Sequence, residues 1–362
     1  EERKYTFDFD PQDEVYAEVV RLSNESLDFL NRSNNATGVN AFSRGDLVYR
    51  GDVKKWKKFM FAVLARNAHH LTNKPTYSPD RVIALVDSSF TSNADNFNVP
   101  HIGTSSTDAN FFGPKRDNMG GFRQTVFALS LLNGTVFSGV KDPRLPLMYT
   151  ASPDSVFRGI VAGLSDPNSS TNNIRRIPTL WGVQPELTAI GIARNFTGKY
   201  VYTDNANHPM VTYAELQFIK SEAAFKKGDL SLALDAYTKG IAAHLDFARV
   251  SATDKTAYLA SDAVKKSGAT LTIKDIMLQK YIALIGHGCL ESWVDMRRYK
   301  YDTAIYQNFT LPSPLYVDNG GKLAQRVRPR FNSEYVWNRS SLDKIGGNNP
   351  DYHTKEMWFS QP

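Results

Sequence analysis

The stretch that decides the fold is QKYIALIGHGCLESWVDMRRY, residues 279–299. Its apolar residues recur at spacings of three and four, the period that places side chains on one face of an α-helix: Ile282, Ile285, Cys289, Trp293 and Met296. The pattern predicts a single amphipathic helix with the one cysteine of the chain on its buried face. The run Gly286 to Gly288 is expected inside this helix, where small residues allow close packing.

The polar end of this stretch predicts ion pairs rather than catalysis. Asp295 can reach Arg298 three residues on, and Trp293 can stack under Arg297 four residues on. Glu291 and Asp295 stand one turn apart, and a carboxylate pair beside a tryptophan is also typical of glycoside hydrolases. Because an acid that is paired with arginine stays ionised, we expect both acids to be structural and assign no catalytic residue.

A second helical block, residues 213–243, fits the second half of a tetratricopeptide repeat. The residues that match the repeat are Gly228 and Asp229 in the turn, Ala233 and Tyr237 on the second helix, and Gly240 in the small position where that helix ends. One such pair of helices cannot cover its own apolar face. The block therefore predicts flanking helices.

Two N-terminal helices and residues 279–299 can supply those flanks. Asp10 and Pro11 suit the start of the first helix, whose apolar face is formed by Val15, Val19 and Leu22. Asp52 opens the second helix, which carries Trp56 and runs to about Leu71.

Between the helical blocks the sequence is rich in Gly, Pro, Asn, Asp and Ser and shows little helical periodicity. The least regular part runs from Phe90 to Phe122 and holds five phenylalanines. Loops of this length in a compact domain are usually functional or disordered, and the aromatic content argues against disorder. We therefore interpret this region as a functional insertion.

Composition excludes several other classes of protein. The chain has 362 residues with a net charge of +6, and its Lys and Arg are scattered, so nucleic-acid binding is not expected. A lone cysteine excludes an internal disulfide, and no apolar run approaches the roughly 20 residues of a membrane-spanning helix. No metal-ligand spacing or phosphate loop is present, so we expect neither metal nor cofactor.

Several segments together resemble the SusD/RagB family of surface nutrient-binding lipoproteins. They are GDVKKWKKFMFAVLARNA from residue 51, KDPRL from residue 141, RGIVAG from residue 158, the repeat block, WVDMRRY from residue 293, and the closing run with Pro329, Arg330, Glu334 and Asn338. The segments occur in family order along the whole chain. The part of the family that carries the lipid-bearing cysteine has no counterpart, and the chain begins at Glu1 without methionine, so we expect an upstream segment to have been removed.

The resemblance implies one domain with a mainly α-helical, tetratricopeptide-like scaffold and a large irregular ligand-facing insertion. The expected scaffold comprises residues 1–75 and 207–300, the insertion residues 76–206, and a loop-rich tail residues 301–362. It also implies nutrient capture at the outer surface of a Bacteroidetes-type bacterium, with membrane attachment only through a lipid anchor. The implied partner is a SusC-like, TonB-dependent transporter, and the implied ligand is an oligosaccharide or, as the exception, a peptide.

The candidate ligand-binding residues combine aromatic rings, on which a sugar ring can stack, with neighbouring hydrogen-bonding side chains. The predicted group is Trp181, Phe111 and Phe112 with Asn110 and Arg116, and Trp181 is preferred because tryptophan is less often fully buried than phenylalanine. Three other tryptophans lie in motif segments and are expected to be structural: Trp56, Trp293 and Trp337. Two rival functions remain, a tetratricopeptide adaptor for a protein segment and a glycan-cleaving enzyme.

Overall fold

The computed structural model describes residues 6–32, 36–170, 173–183 and 196–362. Its helices are α1 (Gln12–Arg32), α2 (Ala36–Gly45), α3 (Val53–His70), α4 (Pro79–Asp87), α5 (Val126–Leu132), α6 (Leu145–Met148), α7 (Tyr213–Lys227), α8 (Leu230–Phe247), α9 (Ala252–Ala260), α10 (Ile273–Leu284), α11 (Cys289–Arg298) and α12 (Arg339–Lys344). Two short strands, β1 (Phe97–Val99) and β2 (His208–Val211), pair antiparallel. The predicted mainly α-helical fold is confirmed. None of the described helices has the length and apolarity needed to cross a bilayer.

The helical hairpin α7–α8 forms the centre of the scaffold, as the repeat pattern predicts. Gly228 ends α7 in the left-handed region, at φ +86°, which glycine adopts without steric cost. The Asp229 side chain then caps α8 by accepting the Leu232 N–H at 3.0 Å. Ala233 and Tyr237 are fully buried against the core. The turn and the buried positions of the repeat are therefore confirmed.

The second helix is longer than the repeat pattern predicts. It continues through Gly240 to Phe247, so the expectation that it ends near Gly240 is wrong. Gly240 instead permits a close approach between the two helices. A Cβ atom at this position would lie 2.9 Å from Cζ of Phe218, whose ring is fully buried.

Gly240→Ala is expected to destabilise the protein despite the higher helix propensity of alanine. Propensity alone would stabilise by about 1 kcal/mol, but overpacking a buried ring costs about 1–3 kcal/mol. Urea denaturation should therefore show a lower midpoint. Gly45→Ala is the matched control, since a Cβ there meets no atom within 4 Å. A gain in stability for Gly240→Ala would contradict the packing described.

Helices α3 and α4 cover the other face of α7, so the scaffold extends past residue 75 into the predicted insertion. Asp52 caps α3 as predicted, and its side chain accepts the Lys54 N–H at 2.9 Å. Apolar residues of the three helices form one buried cluster with Phe90 and β2: Ala62, Ala65, Val82, Val86, Leu216, Ile219 and Ala223. Of the two N-terminal helices expected to flank the central hairpin, α3 does so, whereas α1 packs on α3 and the second flank is α4.

Residues 279–299 form two helices and not the single helix predicted. The helix α10 ends at Leu284 and α11 begins at Cys289. Gly286 lies between them at φ +89°, and a Cβ there would be 2.7 Å from Cγ2 of Val201. The break turns Cys289 to the exposed surface, so the prediction that this thiol is buried is also wrong.

The first helix packs less completely than its pattern predicts. Val15 and Leu22 are 46% and 47% exposed, and Ser23 is the one residue of α1 that is fully buried. The contacts of α1 with the scaffold use polar and aromatic groups. The Tyr16 hydroxyl lies 3.0 Å from Nδ1 of His70 in α3, and its ring meets Trp358 with centroids 5.6 Å apart.

A buried cluster of charges joins α3, α7, α10 and α11. Arg298 donates both terminal nitrogens to Glu222, at 2.8 and 3.1 Å, and Nη2 also to Asp295 Oδ1 at 2.6 Å. Lys280 pairs with the other oxygen of Asp295 at 2.8 Å. Burial lowers the pKa of the adjacent His69 to about 4, so this imidazole is neutral near pH 7. The two cations and two carboxylates therefore balance, and the predicted pair of Asp295 with Arg298 is confirmed.

Candidate functional site

The predicted ligand-binding residues come together around one loop, residues 110–122, which we call the aromatic loop. Trp181 lies beneath it and is 1% exposed. Its indole N–H donates to the Phe112 carbonyl at 2.6 Å, and its ring meets Phe196 edge-on with centroids 5.1 Å apart. The prediction that Trp181 offers an exposed stacking surface is wrong, because packing and a hydrogen bond hold the indole inside.

Asn110 is also part of the support and not of the surface. Its side chain is fully buried, and Nδ2 donates to the carbonyls of Val201 and Thr203 at 2.7 and 3.2 Å. Its Oδ1 accepts the Phe112 N–H at 3.3 Å. All its hydrogen-bonding groups serve the backbone, so direct contact of Asn110 with a ligand, as predicted, does not fit this arrangement.

The exposed face of the aromatic loop carries the remaining predicted residues. Phe111 is 52% exposed, and its ring rests edge-on against Phe112, with centroids 5.6 Å apart. Phe112 is half-buried and packs on His208, with the two ring centroids 5.0 Å apart. Arg116 is exposed, and its Nε donates to the Ala109 carbonyl at 3.2 Å. Phe111 and Arg116 are therefore the predicted residues that a ligand can reach most directly.

Gly113 of the aromatic loop and Gly103, which precedes the loop, approach the segment 199–207 more closely than a side chain would permit. A Cβ on Gly113 would lie 2.6 Å from Oδ1 of Asp204, and one on Gly103 would lie 2.8 Å from the Asn205 nitrogen. Asp204 accepts the Lys115 N–H at 2.8 Å, and its carbonyl accepts the Asn110 N–H at 2.7 Å. The loop and the segment thus form one structural unit.

A polar groove of about 560 Å³ lies beside this unit. Its polar and aromatic lining residues are Asn98, Lys199, Tyr200, Thr203, Asn205, Asn207, Phe247 and Arg249. Thr203 and Asn205 also line a second cavity of about 450 Å³, which Pro114 of the aromatic loop borders. The two cavities therefore share two lining residues, and the second cavity borders the loop that carries Phe111.

Three elements bring the groove residues together. Asn98 lies on β1 opposite Pro209 of β2, and Asn205 and Asn207 lie just before that second strand. The C-terminal end of α8 supplies Phe247, with Arg249 two residues beyond it at φ +62°. The groove thus lies where the scaffold hairpin meets the insertion. Phe247 and Arg249 contribute to it because α8 extends beyond the predicted end of the helix.

A buried polar network holds Tyr200 at the groove. Arg144 of the DPRL segment is fully buried and donates to Nδ1 of His244 at 2.9 Å. Burial, with the Arg144 charge next, lowers the pKa of His244 well below its usual value, so the imidazole is neutral. Since Nδ1 accepts, Nε2 carries the hydrogen and donates to the Tyr200 hydroxyl at 2.9 Å. The network thereby fixes the tyrosine ring against the end of α8.

The acids that could have suggested hydrolysis are committed to ion pairs. Glu291 lies 2.7 Å from His70 and 3.8 Å from Arg66. Burial raises the pKa of Glu291, but the interactions with His70 and Arg66 outweigh burial and hold this pKa well below its usual value. Such an acid is a poor proton donor. Within the described part of the chain, no group of three or more His, Cys, Asp or Glu could hold a metal ion.

The tryptophans expected to be structural have different environments. Trp56 packs among aromatic rings and donates to Asp46 at 2.8 Å. Trp293 is half-buried, with the Arg297 guanidinium stacked 3.9 Å from its centroid, as predicted. Trp337 is 77% exposed beside a cavity that Phe7 also lines, so its expected packing role is wrong.

Sequence reasoning missed the groove residues Asn98, Lys199, Asn205, Asn207 and Arg249. They are ordinary surface residue types at separations of up to 151 positions, which no local pattern connects. One signal was available, the Asn-rich run DNANH at residues 204–208, which places two carboxamides just before a strand.

Comparison with known proteins gives a consistent result. A family model described as "Starch-binding associating with outer membrane" matches residues 1–313. A chitin-binding SusD homolog from Flavobacterium johnsoniae superposes with a TM-score of 0.70 at 19% identity, covering 99% of this chain and 74% of that one.

Two further solved structures show the same fold. A SusD/RagB family protein from Bacteroides thetaiotaomicron has a TM-score of 0.66 at 23% identity, covering 98% and 74% of the two chains. A SusD homolog from Bacteroides fragilis has a TM-score of 0.65 at 19% identity, covering 98% and 76%. None of the curated proteins matches the sequence.

Proposed function

This chain belongs to the SusD-like family, and from that premise we propose that it captures an oligosaccharide at the cell surface without chemical conversion. The ligand occupies the polar groove, and Phe111 at its border provides an aromatic surface for a sugar ring. The chitin-binding relative from Flavobacterium johnsoniae supports a glycan as the class of ligand.

The observation that carries this proposal is the combination of polar side chains in the polar groove with an exposed aromatic ring on the nearby aromatic loop. Sugars expose hydroxyl groups in the ring plane and C–H groups on the ring faces, so they need hydrogen-bond partners beside an aromatic surface. The groove supplies three carboxamides, Asn98, Asn205 and Asn207, with Tyr200 and Phe247. The aromatic loop, which borders the neighbouring cavity through Pro114, supplies a half-exposed Phe111 above the buried Trp181.

The proposal extends to the partner and the place of action. The captured oligosaccharide passes to a TonB-dependent, SusC-like transporter, over which the protein closes, and a lipid anchor in the precursor holds the protein at the outer membrane. A receptor that must release its cargo binds it weakly, with a Kd in the micromolar to millimolar range, roughly −4 to −8 kcal/mol. A glycan and peptide array on purified protein tests the ligand class. Binding of peptides alone would replace the glycan proposal with peptide capture.

Phe111→Ala is expected to weaken binding of the oligosaccharide that the array selects by about three- to tenfold. An aromatic stacking contact contributes about 0.5–1.5 kcal/mol, and 1.4 kcal/mol corresponds to tenfold. Isothermal titration calorimetry measures the change, and the melting temperature should stay close to wild type because the ring is half-exposed.

The matched control for this variant is Phe331→Ala, which removes a 73% exposed phenylalanine from the C-terminal tail. Its affinity should equal that of the wild type. Equal affinities for Phe111→Ala and wild type would remove Phe111 from the binding surface. Release of shorter sugars during the titration would instead support the glycan-cleaving function.

A further inference from the structure

The polar groove has an uneven distribution of charge. Its lining includes Lys199 and Arg249, and among the described residues that line it there is no aspartate or glutamate. Lys199 donates to the Pro146 carbonyl at 3.0 Å, a neutral partner, and makes no ion pair among the residues that the structure describes. Arg249 is exposed and makes no side-chain ion pair among the described residues.

The negative groups nearest to the groove compensate only part of this charge. Asp246 pairs with Lys255 at 2.6 Å. Asp204 lines the neighbouring cavity and accepts the backbone N–H of Lys115 at 2.8 Å, a neutral donor that leaves one negative charge beside the groove. The C-terminal end of α8 carries a partial charge of roughly −0.5 next to Arg249. The two cations of the groove, Lys199 and Arg249, exceed the charge of Asp204 and the partial charge of the helix end, which leaves a net positive potential in the groove.

We propose that the polar groove selects an anionic oligosaccharide, one that carries uronate or sulfate groups. Lys199 and Arg249 are the residues that bind the negatively charged groups. This inference rests on the proposed function and specifies its substrate class. The guanidinium of Arg249 suits two-point hydrogen bonding to the planar carboxylate or to sulfate oxygens, and the Lys199 ammonium acts as a point charge. The carboxamides then bind the hydroxyl groups that acidic and neutral sugars share.

The test compares three probes on the intact protein by calorimetry: a chondroitin sulfate hexasaccharide, trigalacturonic acid and neutral chitohexaose. At least one acidic probe should bind ten or more times tighter than chitohexaose at low salt. Its affinity should fall as salt rises, because exposed charges are screened within about 10 Å at 0.1 M. The sulfated and uronate probes distinguish the two sources of charge.

The variants R249Q and K199Q should each weaken the preferred acidic probe about tenfold, a clearly larger loss than either causes for chitohexaose. The control K322Q removes an exposed cation away from the groove. Like R249Q and K199Q, it lowers the net charge of +6 by one. It therefore distinguishes recognition in the groove from the general attraction of an anion to a basic protein. Circular dichroism confirms that all variants fold.

Three results would overturn the inference. Chitohexaose could bind as tightly as the acidic probes, with affinity lost in Phe111→Ala, in which case glycan capture stands and charge selection fails. R249Q and K199Q could also bind the acidic probe like K322Q, which would place anion recognition outside the groove. Absence of binding to every glycan would reject the proposed function and this inference together.

Discussion

Replacing Trp181 by alanine is expected to lower the free energy of unfolding by about 3–5 kcal/mol, the usual cost of truncating a buried aromatic residue. The indole is 1% exposed and packs edge-on against Phe196. It also donates to the Phe112 carbonyl, which would lose its partner. Because this contact supports the aromatic loop, glycan affinity should fall through loss of loop structure.

Urea denaturation and calorimetry on the same preparation measure both effects for Trp181→Ala. Trp181→Phe should recover part of the stability, since it restores most of the buried area without the indole N–H. Trp337→Ala is the control, because this 77% exposed tryptophan should change the midpoint little. Normal stability of Trp181→Ala with lost affinity would show that the indole contacts the ligand directly and does not act as a buried support.

Arg298→Met should also destabilise the protein by about 3–5 kcal/mol, because breaking a buried ion pair leaves an uncompensated charge. Glu222 would lose two hydrogen bonds and Asp295 would lose one, so that Lys280 alone would face two buried carboxylates. Methionine is of similar length, which keeps the cost of lost packing small. Thermal and urea denaturation measure the loss.

Arg21→Met is the matched control for this change, since its pairs with Glu18 and Glu25 are exposed and should not alter the denaturation midpoint. Affinity for glycan in the folded fraction of Arg298→Met should equal that of the wild type, because the charge cluster does not line the groove. A stable Arg298→Met protein with lost affinity would contradict the structural role of the cluster.

The scaffold could be predicted from the sequence because its signals are local. The Asp52 cap, the Gly228–Asp229 turn and the pair Asp295–Arg298 each depend on residues within a few positions of one another, and the structure confirms all three. The break at Gly286 was missed because the apolar period continues across it, although a glycine at φ +89° just after the last turn is a local signal that ends a helix. The glycine faces Val201, a contact that helical periodicity does not record.

The candidate site was predicted only in part for the same physical reason. Asn110, Phe112 and Trp181 were candidates from separate stretches of sequence, and the structure joins them by hydrogen bonds. Which rings face solvent depends on tertiary packing, so the preference for Trp181 over Phe111 was wrong. The groove itself arises where β1, segment 199–207 and the end of α8 converge, and no single stretch encodes that meeting.

A crystal structure of the protein with the tightest-binding oligosaccharide from the array tests the central claim most directly. We expect sugar rings in the polar groove, hydrogen-bonded to Asn205 and Asn207 and close to Arg249, with one ring against Phe111. Sugar density in the cavity beside Trp337 and Phe7, with the polar groove filled only by solvent, would contradict the assignment of the groove as the binding site.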